Sequence, residues 1–253
     1  MIYTLYMWLV LFFFTFTLGP VLALILPFDR KGRGYFFMVR AWARAIIWAS
    51  RNPVSIEGLS KVDPGRPAIY MTNHQSYFDV ICLSALLPVP VRFVAKRILV
   101  YLPVFGQLLW ATGHIIIDRE DRRQSFSSLD RAARKIQEGT SVLVFPEGTR
   151  SPDHRLGLFK KGGFVLGIKA QVPIVPISIA GTRPMMPKGS FRFARTSVRM
   201  VVGEPVATAG VEIQAKENLM EKVRREISSR FPLDSIEAKV NRTEGEPSPP
   251  EAA

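Results

Sequence analysis

Two short polar runs, each following a β-type stretch, hold the residues best suited to acid–base chemistry. The first is Thr72-Asn73-His74-Gln75-Ser76-Tyr77-Phe78-Asp79, directly after the apolar run Ala68–Met71. A neutral imidazole can take a proton from an alcohol, and a carboxylate on its other nitrogen fixes the tautomer and stabilises the imidazolium. His74 and Asp79 are five positions apart, and in one regular helix they would point roughly 140° away from each other. For them to meet, His74 must sit in a turn and Asp79 in the first turns of the helix that follows. A second reading competes: Ser76-Tyr77-Phe78-Asp79 fits a capping box, in which serine and carboxylate satisfy free backbone N–H groups at a helix start. Spacing alone leaves both open.

The second run is Pro146-Glu147-Gly148-Thr149-Arg150-Ser151, after the apolar run Ser141–Phe145. Its glycine lets the backbone turn closely, and Arg150 offers a planar fork suited to phosphate. An ordinary β-turn with a solvated arginine explains the same residues. Further on, Phe159-Lys160-Lys161-Gly162-Gly163-Phe164 puts two lysines ahead of a helix start, where an anion could be held.

These runs need elements to position them. After Pro53 short β-type stretches alternate with helical ones: Ala68–Met71, Val91–Ala95, Ile115–Ile117, Ser141–Phe145, Ile174–Ala180 and Val198–Val202. Between them Phe126, Leu129, Ala133 and Ile136 recur at helical spacing, with Gly139 as a stop. Leu219, Val223, Ile227 and Phe231 mark a carboxy-terminal amphipathic helix. The alternation predicts an α/β domain with a largely buried sheet over residues 53–240, and ligands in such folds gather where strands end and helices begin. Residues 241–253 are polar and rich in Pro and Glu, and read as a disordered tail.

The amino-terminal 1–52 region differs in kind. No charged side chain occurs from Met1 to Phe28, a run long enough to span a bilayer core of roughly 30 Å. Gly19-Pro20 interrupts it after Ile2–Leu18, which allows a kinked spanning helix or one that enters and turns back. A cleaved signal peptide would want a basic residue before the apolar run, and none stands there. Arg30, Lys31, Arg33, Arg40, Arg44 and Arg51 follow, so a spanning segment would put the rest on the cytoplasmic face of the cell membrane. Within Tyr35–Ser50, Arg33, Arg40, Arg44 and Arg51 share a stripe about 40° wide, opposite Met38, Val39, Trp42, Ala45, Ile46 and Ala49. Such a helix suits the headgroup boundary, with the arginines on lipid phosphate. The alternative is a core helix with a solvated face.

Composition narrows the classes. The formal charge of +13 over 253 residues asks for an anionic partner: nucleic acid, anionic membrane or a phosphorylated substrate. Aromatic residues sit in apolar runs rather than among basic ones, which argues against nucleic acid. Cys82 is the single cysteine, so no intrachain disulfide forms, and His74, His114 and His154 have no zinc-ligand spacing.

Four blocks, in order over residues 68–180, resemble those of the glycerolipid acyltransferases. They are Asn73-His74-Gln75-Ser76-Tyr77-Phe78-Asp79, Gly113-His114-Ile115-Ile116-Ile117-Asp118-Arg119, Phe145-Pro146-Glu147-Gly148-Thr149-Arg150-Ser151 and Val172-Pro173-Ile174-Val175-Pro176-Ile177. The likeness implies a mixed, mostly parallel central sheet flanked by helices, of the glycerol-3-phosphate acyltransferase kind, behind membrane-associated helices. The branch it resembles most acylates the sn-2 hydroxyl of lysophosphatidic acid to give phosphatidic acid. By that resemblance His74 is the general base, Asp79 orients it, and the hydroxyl attacks an acyl thioester directly. The donor is acyl-CoA or acyl carrier protein, no metal or other cofactor takes part, and the membrane is anionic. Arg150 is implied on the acceptor's phosphate and Glu147 on glycerol or loop hydrogen bonds, in an acceptor loop with Gly148 and Thr149. Lys96 and Arg119 are further acceptor contacts, Pro173 and Pro176 set shape near the acyl pocket, and Cys82 is a core residue. The chain departs from the pattern at Arg97-Ile98-Leu99, where relatives carry an acidic residue or serine before leucine, and at His114, where an apolar residue is commoner. Related acceptors within the superfamily are glycerol-3-phosphate, a head-group lysophospholipid and a lyso-ornithine lipid. A non-catalytic basic membrane-binding protein is the alternative of a different class.

Overall fold

Continuous apolar runs in the sequence become buried strands of a single sheet. The structure, a computed structural model, describes residues 1–29, 32–101, 106, 109, 112–117, 122–153 and 155–230. Arg119, His154, Phe231 and the 241–253 tail lie outside the described residues, as does the side chain of Lys96.

Among the described residues the strands are β1 (Val54–Glu57), β2 (Ile69–Thr72), β3 (Val91–Lys96), β4 (Ile115–Ile117), β5 (Ser141–Val144), β6 (Ile174–Ala180) and β7 (Val198–Val202). Their order is β1-β7-β6-β2-β5-β3-β4; every pairing is parallel except β6 with β7. This is the mixed, mostly parallel sheet that the resemblance implied. All seven residues of β6 are buried, as a strand covered on both faces requires. β1 is an addition to the expected set. It is a four-residue edge strand with half-buried and exposed residues alternating, so it lacks a continuous apolar run.

Helices cover both faces. On one lie α1 (Ile2–Ile25), α2 (Arg33–Ser50) and α3 (Phe78–Leu86), packed over Tyr70, Leu143 and Ile177. On the other, α4 (Arg122–Gln137), α5 (Gly162–Ala170) and α7 (Lys216–Ser228) cover Ile69, Met71, Val142 and Val144. A short α6 (Thr182–Met185) follows β6. Successive residues of β2 and β5 thus feed opposite layers, the period-two alternation of a strand between two helical layers.

α1 runs unbroken through Pro20 to Ile25, beyond the interruption expected at Gly19-Pro20. It is long and apolar enough, by length and composition, to cross a membrane, yet only 6% of its most apolar window is buried. α1 and α2 form an antiparallel hairpin. Tyr3 and Tyr6 hydroxyls donate to the carbonyls of Ser50 and Ala49 at one end, and Trp42 Nε1 donates to Thr15 Oγ1 further along.

α2 in turn packs on α3, which revises the arginine stripe. Arg40 Nη1 donates to Leu87 O (2.8 Å) and Arg44 Nε to Ala85 O (3.2 Å), so two of the four arginines reach carbonyls at the C-terminal end of α3. A cation there satisfies orphan carbonyls and complements the helix dipole. The outward face mixes exposed Arg33, Arg44 and Arg51 with Phe37 (69% exposed) and Trp48 (77%).

Candidate active site

β2 and β5 are parallel neighbours, so the loops leaving their C-terminal ends emerge side by side. That brings the two polar runs together. Asn73, first out of β2, uses its side-chain amide like a strand: Nδ2 donates to Ile179 O and Oδ1 accepts from Ile179 N, both at 2.8 Å. This fixes the turn onto β6, and His74 follows on a set backbone.

His74 Nδ1 and Asp79 Oδ2 are 2.8 Å apart, with Asp79 fully buried. The same carboxylate oxygen accepts the backbone N–H groups of Gln75 (2.7 Å) and Ser76 (2.9 Å). Ser76 Oγ accepts the N–H of Phe78 at 3.2 Å. Only half of the capping box forms, because Ser76 Oγ takes the N–H of Phe78 while the N–H of Asp79 goes to the main-chain oxygen of Ser76; the Asp79 oxygen that accepts the Ser76 N–H ahead of α3 is the one that also holds the imidazole. Because a carboxylate only accepts, Nδ1 carries the proton and Nε2 is left as the base. The ring stacks on Phe145 at 3.9 Å between centroids, which fixes its plane.

Glu147 is buried, and both its oxygens are occupied. Oε1 accepts the N–H of His74 (2.7 Å), and Oε2 accepts that of Gly157 (2.8 Å). Burial pushes its carboxyl above the usual range, partly offset by these two backbone bonds. A Cβ on Gly157 would lie 2.7 Å from Glu147 Oε2, so only glycine allows this approach. Gly148 adopts φ 72°, the left-handed region that glycine enters without penalty. Ser151 N donates back to His74 O at 2.8 Å, tying the loops a second time.

Arg150 lays its guanidinium over the Tyr77 ring at 3.8 Å, and Thr149 is exposed beside it. Of the expected residues, then, His74, Asp79, Glu147, Gly148, Thr149 and Arg150 converge. Lys96 ends β3, two strands from β2, in register with Ile117. Cys82 is wholly buried and burial raises its thiol pKa, so it sits in the core as a protonated thiol. Among the described residues no group of three His, Cys, Asp or Glu side chains could hold a metal.

Asn73, Tyr77, Phe145, Ser151 and Gly157 complete the arrangement without having stood out as functional singly. Asn73, Tyr77, Phe145 and Ser151 lay inside the quoted blocks. Gly157 carried no signal beyond being a glycine.

Residues 53–180, which contain both loops, match the acyltransferase family model, and the chain belongs to that family. Among its relatives, a chloroplastic 1-acyl-sn-glycerol-3-phosphate acyltransferase of Arabidopsis thaliana is 34% identical over 78% of this chain and 55% of its own length. A 1-acyl-sn-glycerol-3-phosphate acyltransferase of Pseudomonas aeruginosa is 30% identical over 90% of this chain and 89% of its own. The chain spans little more than half the length of several plant and algal relatives it matches. The crystal structure of the 1-acyl-sn-glycerophosphate acyltransferase of Thermotoga maritima shares the fold, with a TM-score of 0.79 at 24% identity, covering 92% of this chain and 97% of that one.

Proposed function

We propose that this chain transfers a fatty acyl group from a thioester, acyl-CoA or acyl carrier protein, to the sn-2 hydroxyl of lysophosphatidic acid, giving phosphatidic acid. The observation that carries the reading is the His74–Asp79 pair, with Nδ1 held by a buried carboxylate and Nε2 left as a base. Relatives named 1-acyl-sn-glycerol-3-phosphate acyltransferases support the choice of acceptor.

The step follows from that geometry. Nε2 takes the proton of the acceptor hydroxyl as its oxygen attacks the thioester carbon, and the resulting imidazolium is stabilised by Asp79. Collapse of the tetrahedral intermediate breaks the carbon–sulfur bond, and His74 returns the proton to the departing thiolate. The products are an ester and a free thiol. No acyl-enzyme, metal or prosthetic group is required.

Arg150 binds the acceptor's phosphate, its fork held flat by Tyr77. Glu147, with both oxygens spent on backbone N–H groups, acts by positioning the His74 turn rather than by touching glycerol. Lys96 and Arg119 are further contacts for the anionic substrates.

The hairpin supports a membrane-surface location. α2 lies against α3 along its length, so a fully spanning α1 would drag buried parts of the body into the bilayer. α1 instead sinks its exposed apolar face into one leaflet, with Phe37 and Trp48 at the headgroups and the arginines beside them on lipid phosphate. The cytoplasmic leaflet, richer in anionic lipid, suits a chain of charge +13.

The test is turnover in detergent with lysophosphatidate and an acyl-CoA, followed by thiol release and lipid product analysis. Wild type forms phosphatidate, and His74→Ala loses roughly 10²–10⁴-fold in rate while still binding vesicles. Full activity in that variant, or no turnover of any acyl thioester by wild type, sinks the reading.

A further inference from the structure

The stretch from Thr182 to Thr196 is absorbed by none of the sequence blocks, yet it touches all the parts that matter. Ser76 Oγ, in the turn between His74 and Asp79, donates to Met186 O at 2.9 Å. Two residues on, Lys188 Nζ donates to Arg150 O at 3.0 Å and lies 3.4 Å from Thr149 Oγ1. Further along, Thr4 Oγ1 accepts the N–H of Phe193 (3.1 Å), and Trp8 Nε1 donates to Phe191 O (3.1 Å). One segment therefore runs from the catalytic turn, past the arginine loop, to the first turns of the membrane helix.

Between that segment and α1 lies an open, mostly apolar cleft of about 900 Å³, lined among others by Leu5, Trp8, Pro184, Pro187 and Arg192. Sites for ligands of lipid or drug size run from roughly 300 to 1,000 Å³. Pro187 forms part of its wall, and the residues on either side of Pro187 are Met186, bonded to Ser76, and Lys188, bonded to Arg150. The far side of the cleft is α1, whose Ile2, Leu5 and Leu9 are exposed for contact with lipid.

Charge is arranged to match. Lys188 is exposed and makes no ion pair with a carboxylate among the described residues, and neither does Arg150. Lys188 meets the arginine loop through the main-chain oxygen of Arg150, which leaves neither side-chain charge offset by a carboxylate among the described residues, and a phosphate monoester carries nearly two negative charges at neutral pH. A lysine serves there as a point charge beside the planar fork of arginine.

The geometry points to Lys188 as a second phosphate-binding residue for the acceptor, with the acceptor's own acyl chain lying in the cleft behind Pro187. The assignment rests on the acceptor proposed above. The lipid would be gripped at its head by the Arg150–Lys188 pair and along its tail by the cleft, with the sn-2 hydroxyl between, toward His74. Lys188 would then set preference for a terminal phosphate over a neutral or zwitterionic head.

Two variants test this with steady-state kinetics on vesicle-presented acceptor. Lys188→Gln raises KM for lysophosphatidate about tenfold, with kcat and the acyl-CoA KM near wild type, and Lys188→Arg restores most of the loss. Discrimination against monoacylglycerol and lysophosphatidylcholine falls in the same variant. Leu5→Trp, which fills the cleft, lowers kcat/KM for long-chain lysophosphatidate more than for an eight-carbon one and leaves the donor chain-length profile unchanged. An unchanged acceptor KM in Lys188→Gln, or a rise in the donor KM instead, overturns the phosphate assignment while wild-type turnover keeps the proposed reaction standing. A shift of donor chain preference in Leu5→Trp gives the cleft to the donor and overturns its assignment to the acceptor. Wild type that ignores lysophosphatidate overturns both the inference and the reading beneath it.

Discussion

At the scale of single residues, one carboxylate oxygen carries most of the site. Asp79 Oδ2 takes His74 Nδ1 and two backbone N–H groups, while Oδ1 is buried without a hydrogen-bond partner among the described residues. Asp79→Asn can therefore keep the geometry, with its oxygen in the occupied position, but leaves an NH₂ unpaired and removes the charge that stabilises the imidazolium. Activity is expected to fall at least roughly a hundredfold and stability by about 1–3 kcal/mol, read by thiol release and denaturant titration. Glu147→Gln sets an amide NH₂ against the N–H of Gly157, donor against donor. A loss of about 1–3 kcal/mol and a drop in kcat larger than any change in acceptor KM are expected under the positioning role proposed for Glu147. What could be read from the chain here was chemistry type and order. His74, Asp79 and Arg150 stood in quoted blocks, and one Asp79 oxygen meets both the backbone ahead of α3 and the imidazole, so the two readings of the spacing are compatible in one geometry. Lys188 was not legible: its partner, Arg150, is 38 positions away, and nothing local marks it.

At the scale of elements, legibility followed burial. β6 and β5 are apolar on both faces and announce themselves as continuous runs, whereas β1 at the edge alternates and is only four residues long. The wheel of α2 grouped its arginines and pointed them at lipid phosphate, whereas Arg40 and Arg44 reach the end of α3, a partner that no wheel can show. His114, a departure from the family pattern, is explained by the junction of α2 and β3. Its Nδ1 accepts the N–H of Phe93 (2.9 Å), so Nε2 carries the proton and donates to Tyr35 Oη (2.8 Å). Burial, with Arg92 nearby, lowers its pKa to about 4. The unfolded chain, with a histidine pKa of about 6.5, binds the proton first as pH falls. This junction's contribution is thus complete above pH 6.5 or so and is lost toward pH 4, by up to roughly 3 kcal/mol. His114→Gln, which takes up no proton, should flatten that limb of a stability-versus-pH curve; an unchanged slope would assign acid sensitivity elsewhere.

At the scale of the whole molecule, the described residues form one sheet between two helical layers, with a helical hairpin laid along one face and fastened at both ends. Thr4 and Trp8 hold one end to Phe193 and Phe191, and Tyr35 holds the other to His114. The outer surface so displayed is apolar on α1 and mixed aromatic and arginine on α2. Replacing Phe37 and Trp48 together with serine is expected to weaken co-sedimentation with anionic vesicles at least roughly tenfold, with the fold intact by circular dichroism. Neutral vesicles should show a smaller difference between the two proteins if the arginines act on lipid phosphate.

The fastening of the hairpin at both ends has a kinetic meaning. With the His74–Asp79 turn tied through the Met186–Phe193 segment to α1, a bilayer that takes up α1 as proposed fixes the position of the candidate site at its surface. Under the proposed reaction, acceptor capture then becomes a search in two dimensions. The reaction rate should follow the mole fraction of lysophosphatidate among surface lipids, and dilution with inert phospholipid should slow it at constant bulk concentration.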